Sequence, residues 1–144
     1  MITPMGAFSG ATVWWAASAE CDSDSLVEVA KRARESVADG RVLIVSGPVN
    51  IRPESDYDSV GALAAAVIRL RIDQWLGLGQ EVRALSRQVG LEGSWDGESL
   101  WSEHAAEAYD YLRGWPTPGD LIVLAGQESE AIASLRKLIE GGAA

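Results

Sequence analysis

The chain is poor in the residues that cross-link, ligate metal or anchor in membranes. One cysteine, Cys21, and one histidine, His104, occur in 144 residues, so its own side chains can build neither an internal disulfide nor a zinc cluster of Cys and His ligands. Such sparing use of cysteine points to a reducing, cytoplasmic compartment. Positive charge is also scarce, with 12 basic residues against 21 acidic ones and a net charge of −9. The one cluster of bases, Lys31-Arg32-Ala33-Arg34, reads as the polar face of a helix. Nucleic acid and anionic membrane are therefore disfavoured as partners. Long hydrophobic runs are missing too: the stretch Val60–Leu70 contains Arg69 and is followed by Arg71, short of the roughly 18 apolar residues of a spanning helix. Met1–Ala19 is apolar, but it has no basic start and is broken by Pro4, Gly6 and Gly10, so no signal peptide is read there.

The phosphate-handling motifs are absent as well. Neither GxxxxGK[ST] nor GxGxxG occurs; Gly77-Leu78-Gly79 has Val82 where a third glycine would stand. The two lysines, Lys31 and Lys137, lie in helical segments away from any glycine loop. Autonomous ATP hydrolysis is not expected. No GxSxG nucleophile elbow is present either.

What is there alternates short apolar runs with segments of helical period, as parallel strands joined by crossover helices do. Ala11–Ala16 is β-branched and aromatic, and a polar turn follows at Glu20–Asp24. Ser25-Leu26-Val27-Glu28 has the form of a capping box for a first helix with Leu26, Val29, Ala30, Ala33 and Val37 on one stripe, and Gly40 as its left-handed stop. Arg41–Ser46 reads as a central strand, apolar on both faces. The loop Gly47–Asp58 is about twice the usual βα length and is a candidate functional loop. A second helix over Ser59–Arg71, a strand over Gln74–Leu78 and a third helix over Gln80–Gln88 follow, with Gly90–Gly97 around Trp95 read as a weak strand or an irregular edge. Ser102 is the expected N-cap of a fourth helix with Ala105, Ala106, Tyr109 and Leu112 inward. Trp115–Asp120 makes a rigid turn before a second strong central strand, Leu121–Ala125, and a fifth helix carries Ile132, Leu135, Leu138 and Ile139 on its inner stripe. The expected fold is α/β, a three-layer, open, mostly parallel sheet of about five to six strands with helices on both faces, Rossmann-like, and with ligands at the strand ends. Residues 1–10 are expected to be an N-terminal extension, and 11–144 a single domain.

Few side chains could carry chemistry. Cys21 falls where a strand meets a helix N-terminus, but Glu20, Asp22 and Asp24 oppose a thiolate there, and an inert thiol is expected. His104, between Glu103 and Glu107, reads as a solvated surface residue. Asp22, Asp24, Asp56 and Asp58 suit either Mg²⁺ or helix capping. Arg52, inside the long loop beside Pro53, either grips a carboxylate or phosphate or pairs with Glu54 or Asp56. Trp75 reads as core, whereas Trp95, Trp101 and Trp115 form an exposed patch for a partner or pack across the sheet edge.

In order and spacing, Asp24-Ser25-Leu26, Gly40–Gly47, Ile72–Glu81 and Pro118–Gly126 resemble segments of the C-terminal domain of the Mur ligases, above all the branch that adds D-Ala-D-Ala to the peptidoglycan precursor. The resemblance runs from about Thr12 to Gly141. It implies a domain that presents an incoming amino acid or dipeptide to an acyl phosphate made on a separate, P-loop-bearing central domain. The chain departs from the family at three signatures. The polar segment before Pro-x-Ser is replaced by Ala19-Glu20-Cys21-Asp22-Ser23, the Lys-Gly-Ser element reads Ala125-Gly126-Gln127-Glu128, and Gly-Asp-Met has become Ser46-Gly47-Pro48. Arg52-Pro53 resembles a Lys-Arg-Pro element of the diaminopimelate-adding members, which makes Arg52 the basic residue carried over.

The resemblance therefore implies a Mur ligase C-terminal-like domain without an ATPase domain, working as a non-catalytic ligand- or partner-binding module. Two alternatives stand beside it: the acceptor-binding subunit of a split ATP-dependent ligase of cell-wall type, whose P-loop half is a separate chain, and a homodimer joined through the tryptophan-bearing edge. The expected ligand is a small carboxylate or a peptide. Its contacts are expected from Asp22, Asp24, Ser46, Gly47, Asn50, Arg52, Gly126 and Gln127, with no catalytic residue, metal or cofactor assigned.

Overall fold

The computed structural model describes residues 2–37, 39–92 and 97–142. A hairpin opens the chain. β1 (Thr3–Phe8) and β2 (Ala11–Trp15) run antiparallel, joined by Ser9 and Gly10 at φ +51° and +91°, the paired positive angles that suit a two-residue hairpin between twisted strands. Thr3–Phe8, within the expected N-terminal extension, is thus an edge strand of the sheet. Pro4 and Gly6, read as interruptions, flank a β-bulge, and both residues are at home on an edge. Phe8 is buried and its ring lies 5.7 Å from that of Tyr109.

The remaining strands are β3 (Val42–Ser46), β4 (Gln74–Leu78), β5 (Glu98–Ser102) and β6 (Leu121–Ala125). They form one sheet in the order β1-β2-β6-β3-β4-β5, parallel from β2 onwards. Every residue of β3, β4 and β6 is buried, which is why these segments read as unbroken apolar runs. The helices are α1 (Ser23–Ser36), α2 (Val60–Arg69), α3 (Arg83–Gly90, entered through a 3₁₀ turn at Gln80–Val82), α4 (Ala105–Gly114) and α5 (Glu130–Gly142).

Two cores result. On one face α1, α2 and α3 bury Leu26, Ala30, Leu63, Val67, Leu85 and Val89 around Trp75. On the other, α4 and α5 bury Ala108, Leu112, Ile132, Leu135 and Ile139 against Leu43, Leu76 and Ile122. Each fully buried Leu, Ile or Val contributes roughly 1.5–3 kcal/mol of gross hydrophobic stabilisation. Trp75 is wholly buried, and its indole Nε1 donates to Ser86 Oγ at 2.9 Å, so its one polar atom is satisfied.

Several boundaries differ from expectation. α1 starts at Ser23 with Asp22 as N-cap, its carboxylate accepting from Ser25 N at 2.8 Å, which displaces the capping box expected at Ser25. α1 ends at Ser36 with Val37 extended. Gly40 does not serve as a left-handed stop; it is required because the Gly119 backbone occupies the place of a Cβ. The end of α1 is held by Arg34, which donates to Val37 O at 2.8 Å, Gly40 O at 2.9 Å and Asp73 at 3.1 Å. β5 begins after Gly97, and Trp95 lies outside the described residues. Ser102 closes β5, while His104 takes the N-cap position of α4 with no side-chain capping bond. Ala108 is buried where Ala106 was expected, and Leu138 is 38% exposed.

At the amino ends of the central strands Asp120, 3% exposed, fastens β6 to β3. It accepts from Arg41 N at 3.0 Å, Arg41 Nη2 at 2.7 Å, Thr117 N at 2.9 Å and Thr117 Oγ1 at 3.0 Å. Burial opposes its ionisation, but the hydrogen bonds from Arg41 and Thr117 outweigh that and hold its pKa at about 2.

Candidate ligand cleft

The carboxyl ends of β2, β3 and β6 meet at one edge, and the loops leaving them go to opposite faces: β2 and β3 lead to α1 and α2, β6 leads to α5. This is the topological condition for a ligand crevice. The gap between β3 and β6 is closed by backbone. Gly47 N donates to Ala125 O at 3.0 Å, and Gln127 N to Pro48 O at 2.6 Å. Such approach needs glycine on both sides: Gly126 has φ +86°, and a Cβ on it would lie 2.6 Å from Gly47 N and O. Gly47 and Gly126 therefore shape the crevice. Ser46, expected among the ligand contacts, is wholly buried, and its hydroxyl donates to Gly47 O at 2.8 Å.

The opening lies beside this contact, as a cleft of about 580 Å³ lined by Glu20, Cys21, Asp22, Val49, Asn50 and Gln127. The long loop after β3 forms one wall because its backbone is stitched to the start of α1. Asn50 N donates to Cys21 O at 2.9 Å and Ser23 N to Asn50 O at 2.9 Å. Farther on, Ser55 Oγ donates to Asp24 at 2.6 Å and accepts from Tyr57 N at 2.9 Å, while Val49, Ile51 and Tyr57 pack on the core. The expected functional loop is a built wall.

Arg52 stands at the rim. Its Nη1 contacts Asp22 at 3.5 Å and Asp24 at 3.3 Å, acids across the cleft mouth rather than the neighbouring Glu54 or Asp56. These contacts are long beside the roughly 2.7–2.9 Å of a close charge-assisted bond. The guanidinium is half-exposed, and Nε and Nη2 meet no acceptor among the described residues. Asp22 is held below its ordinary pKa chiefly by the backbone N–H of Ser25, with Arg52 adding to the effect. Cys21 is buried and pushed up to about 11, by desolvation first and by the Asp22 charge second, so the thiol is protonated at neutral pH. His104 is exposed, 3.9 Å from Glu103. Among the described residues no group of three or more His, Cys, Asp or Glu is placed to hold a metal. Asp22 is committed to helix capping and Asp24 to Ser55.

Of the candidate contacts, Asp22, Asn50 and Gln127 line the cleft, Arg52 and Asp24 stand at its rim, and Ser46, Gly47 and Gly126 lie behind it. Glu20, Cys21 and Val49 belong to the lining but were not singled out as contacts. Their position in the two loops was the available signal. Trp101 and Trp115 do not share a patch. They pack on opposite cores, each beneath an arginine, Arg83 at 4.9 Å and Arg41 at 4.1 Å from the ring centres.

No helix among the described residues is long and apolar enough to cross a membrane. No family model matches the sequence. The chain is 28% identical over 92 residues, 62% of its length, to UDP-N-acetylmuramoyl-tripeptide–D-alanyl-D-alanine ligase of Mycobacterium leprae (strain TN), of which it spans only 17%. Among solved structures it is similar to a domain assigned to a UDP-N-acetylmuramate:L-alanyl-gamma-D-glutamyl-meso-diaminopimelate ligase from Haemophilus ducreyi, with TM-score 0.70, 14% identity and 99% of this chain aligned to 98% of that one. It also resembles a murein peptide ligase from Psychrobacter arcticus, with TM-score 0.66, 14% identity, 96% of this chain and 27% of that one. A third likeness is to MurF ligase from Thermotoga maritima in complex with ADP, with TM-score 0.61, 10% identity, 94% of this chain and 29% of that one.

Proposed function

Starting from a chain that is a Mur ligase C-terminal-like domain in fold and in sequence likeness, we propose that it works as a ligand-binding module without nucleotide chemistry of its own, taking a small carboxylate-bearing peptide in the cleft at the ends of β2, β3 and β6. The observation that carries this reading is the open guanidinium of Arg52 beside an acid- and amide-lined cleft. A zwitterionic dipeptide matches that lining. Its amine would face Glu20 and Asp22, its amide Asn50 and Gln127, and its carboxylate the free edge of Arg52. The D-alanyl-D-alanine in the name of the curated relative makes D-Ala-D-Ala the first ligand to try. These 144 residues contain no P-loop, so nothing in them would activate an acyl group.

Thermal shift tests the reading. At a dipeptide concentration of ten times Kd, binding stabilises the folded state by about 1.4 kcal/mol, and Arg52→Ala should abolish that gain. A shift unchanged in Arg52→Ala removes Arg52 from the site; no shift from any small carboxylate or peptide overturns the ligand reading. The second reading, an acceptor-binding subunit completed by a separate P-loop ligase chain, is favoured by the match to a small part of a whole ligase. It predicts amide formation only when such a chain and ATP are added.

A further inference from the structure

The two edges of the sheet are unlike. β1 carries Pro4 and a bulge at Gly6, devices that blunt an edge against pairing. β5, at the other edge, has neither proline nor bulge, pairs with β4 in unbroken register from Glu98 to Ser102, and meets no further strand among the described residues. Its one charged residue, Glu98, accepts from Gln74 Nε2 at 3.0 Å, so the side chain is turned back toward β4.

Beside this open strand runs a groove of about 1120 Å³ between α3 and β5, larger than the 300–1,000 Å³ typical of a small-molecule pocket. Arg83, Arg87, Gln88, Leu91, Leu100 and Trp101 line it, and no described carboxylate does, although the chain has 21 acidic residues. Six of the described arginines are in ion pairs, Arg32, Arg34, Arg41, Arg52, Arg113 and Arg136. Arg83 and Arg87 are not among them. They stand one turn apart on the same face of α3, Arg83 stacked on Trp101. Leu91, 66% exposed, is the most exposed large apolar side chain described.

We propose that the open edge of β5 and this groove form a docking site for an extended acidic segment of a partner protein, which adds as a strand beside β5 and lays its carboxylates over Arg83 and Arg87. Strand addition supplies main-chain hydrogen bonds, and pockets for alternate side chains supply selectivity. The parity of β5 sets the pattern. Trp101 belongs to the α3 side and Leu100 to the α4 side, so alternate residues of the added strand face the arginines and the apolar Leu100 wall. An acidic-apolar alternation fits both, and charge complementarity selects it over a basic one.

The test uses fluorescence anisotropy of a labelled (Glu-Val)₄ peptide at low salt, with the full chain. Binding is expected, with (Lys-Val)₄ inert and affinity falling as salt rises. Arg83→Glu/Arg87→Glu should weaken binding at least tenfold, and so should N-methylation of alternate peptide amides, which removes the donors of strand pairing. Arg87→Glu alone is the arm least exposed to misfolding, because Arg87 makes no ion pair or ring contact among the described residues; Arg69→Glu, away from the groove, should leave binding unchanged. Failure of (Glu-Val)₄ to bind, equal binding of the lysine peptide, or affinity indifferent to Arg87→Glu would overturn the proposal. A concentration-dependent dimer in sedimentation that Arg83→Glu/Arg87→Glu disperses would overturn it as well, since it gives the edge to a second copy of this chain. None of these outcomes depends on the dipeptide cleft.

Discussion

Replacing Asp120 by Asn removes one charge from the clamp that joins the starts of β3 and β6 and keeps its shape. The carboxylate is 3% exposed and accepts from two N–H groups and the hydroxyl on the Thr117 and Arg41 backbone and side chains, as well as from the Arg41 guanidinium. Its pKa falls from 3.8 to about 2 on folding. At 1.36 kcal/mol per unit that depression is worth up to about 2 kcal/mol of stability, because the Arg41 side chain is 42% exposed and solvent screens part of its charge. Because the folded value is the lower one, the contribution is complete above pH 5, falls as pH drops through the unfolded value, and is roughly half gone by pH 3. Urea unfolding followed by tryptophan fluorescence at pH 7, 5 and 3 measures it. The wild type should exceed Asp120→Asn by about 2 kcal/mol or more at pH 7, since the amide NH2 also replaces an acceptor among the Arg41 and Thr117 donors, with the gap closing by about 1 kcal/mol at pH 3. A gap that does not change over this range would refute the assignment of the stabilisation to the ionised carboxylate.

Two further perturbations probe the edge where the cleft lies. Gly126→Ala places a Cβ 2.6 Å from Gly47 backbone at φ +86° and should cost about 2 kcal/mol or more from backbone strain and overpacking; a loss under about 0.5 kcal/mol in the same unfolding assay, the size of a neutral surface change, contradicts the close approach. Cys21, with a pKa of about 11, should react with a disulfide reagent at pH 8 at least about a hundredfold more slowly in the native chain than in the urea-unfolded chain, and equal rates would contradict its burial.

The central strands were legible because aliphatic runs such as Val42–Val45 and Leu121–Leu124 must be buried on both faces, and no helix of that length could be. The hairpin was not. Thr3–Phe8 is exposed over most of both faces, so little apolar alternation marks it, and the bulge at Gly6 breaks what period of two there is. The Ser9-Gly10 turn was the overlooked sign. The long loop after β3 stood out by length alone, yet the partners of Arg52 did not, since Asp22 and Asp24 are far from it in sequence and are brought near by the backbone bonds that tie Asn50 to Cys21 and Ser23 and by the bond from Ser55 to Asp24. Ser46 was placed at the site because it ends a strand, but strand ends in a parallel sheet have two faces, and its hydroxyl turns to the carbonyl of the next residue. The groove beside α3 is of the same kind. Arg83 and Arg87 were not singled out, because nothing in the sequence of α3 shows that β5 lies against it.

Chemical-shift mapping of the ¹⁵N-labelled chain with D-Ala-D-Ala tests the account most directly. Perturbations should concentrate at Glu20–Asp22, Val49–Arg52 and Gln127, saturate with dipeptide concentration, and vanish when the dipeptide's carboxylate is amidated. Saturable shifts confined to other parts of the sheet, or a spectrum that does not respond to the dipeptide at all, would contradict it.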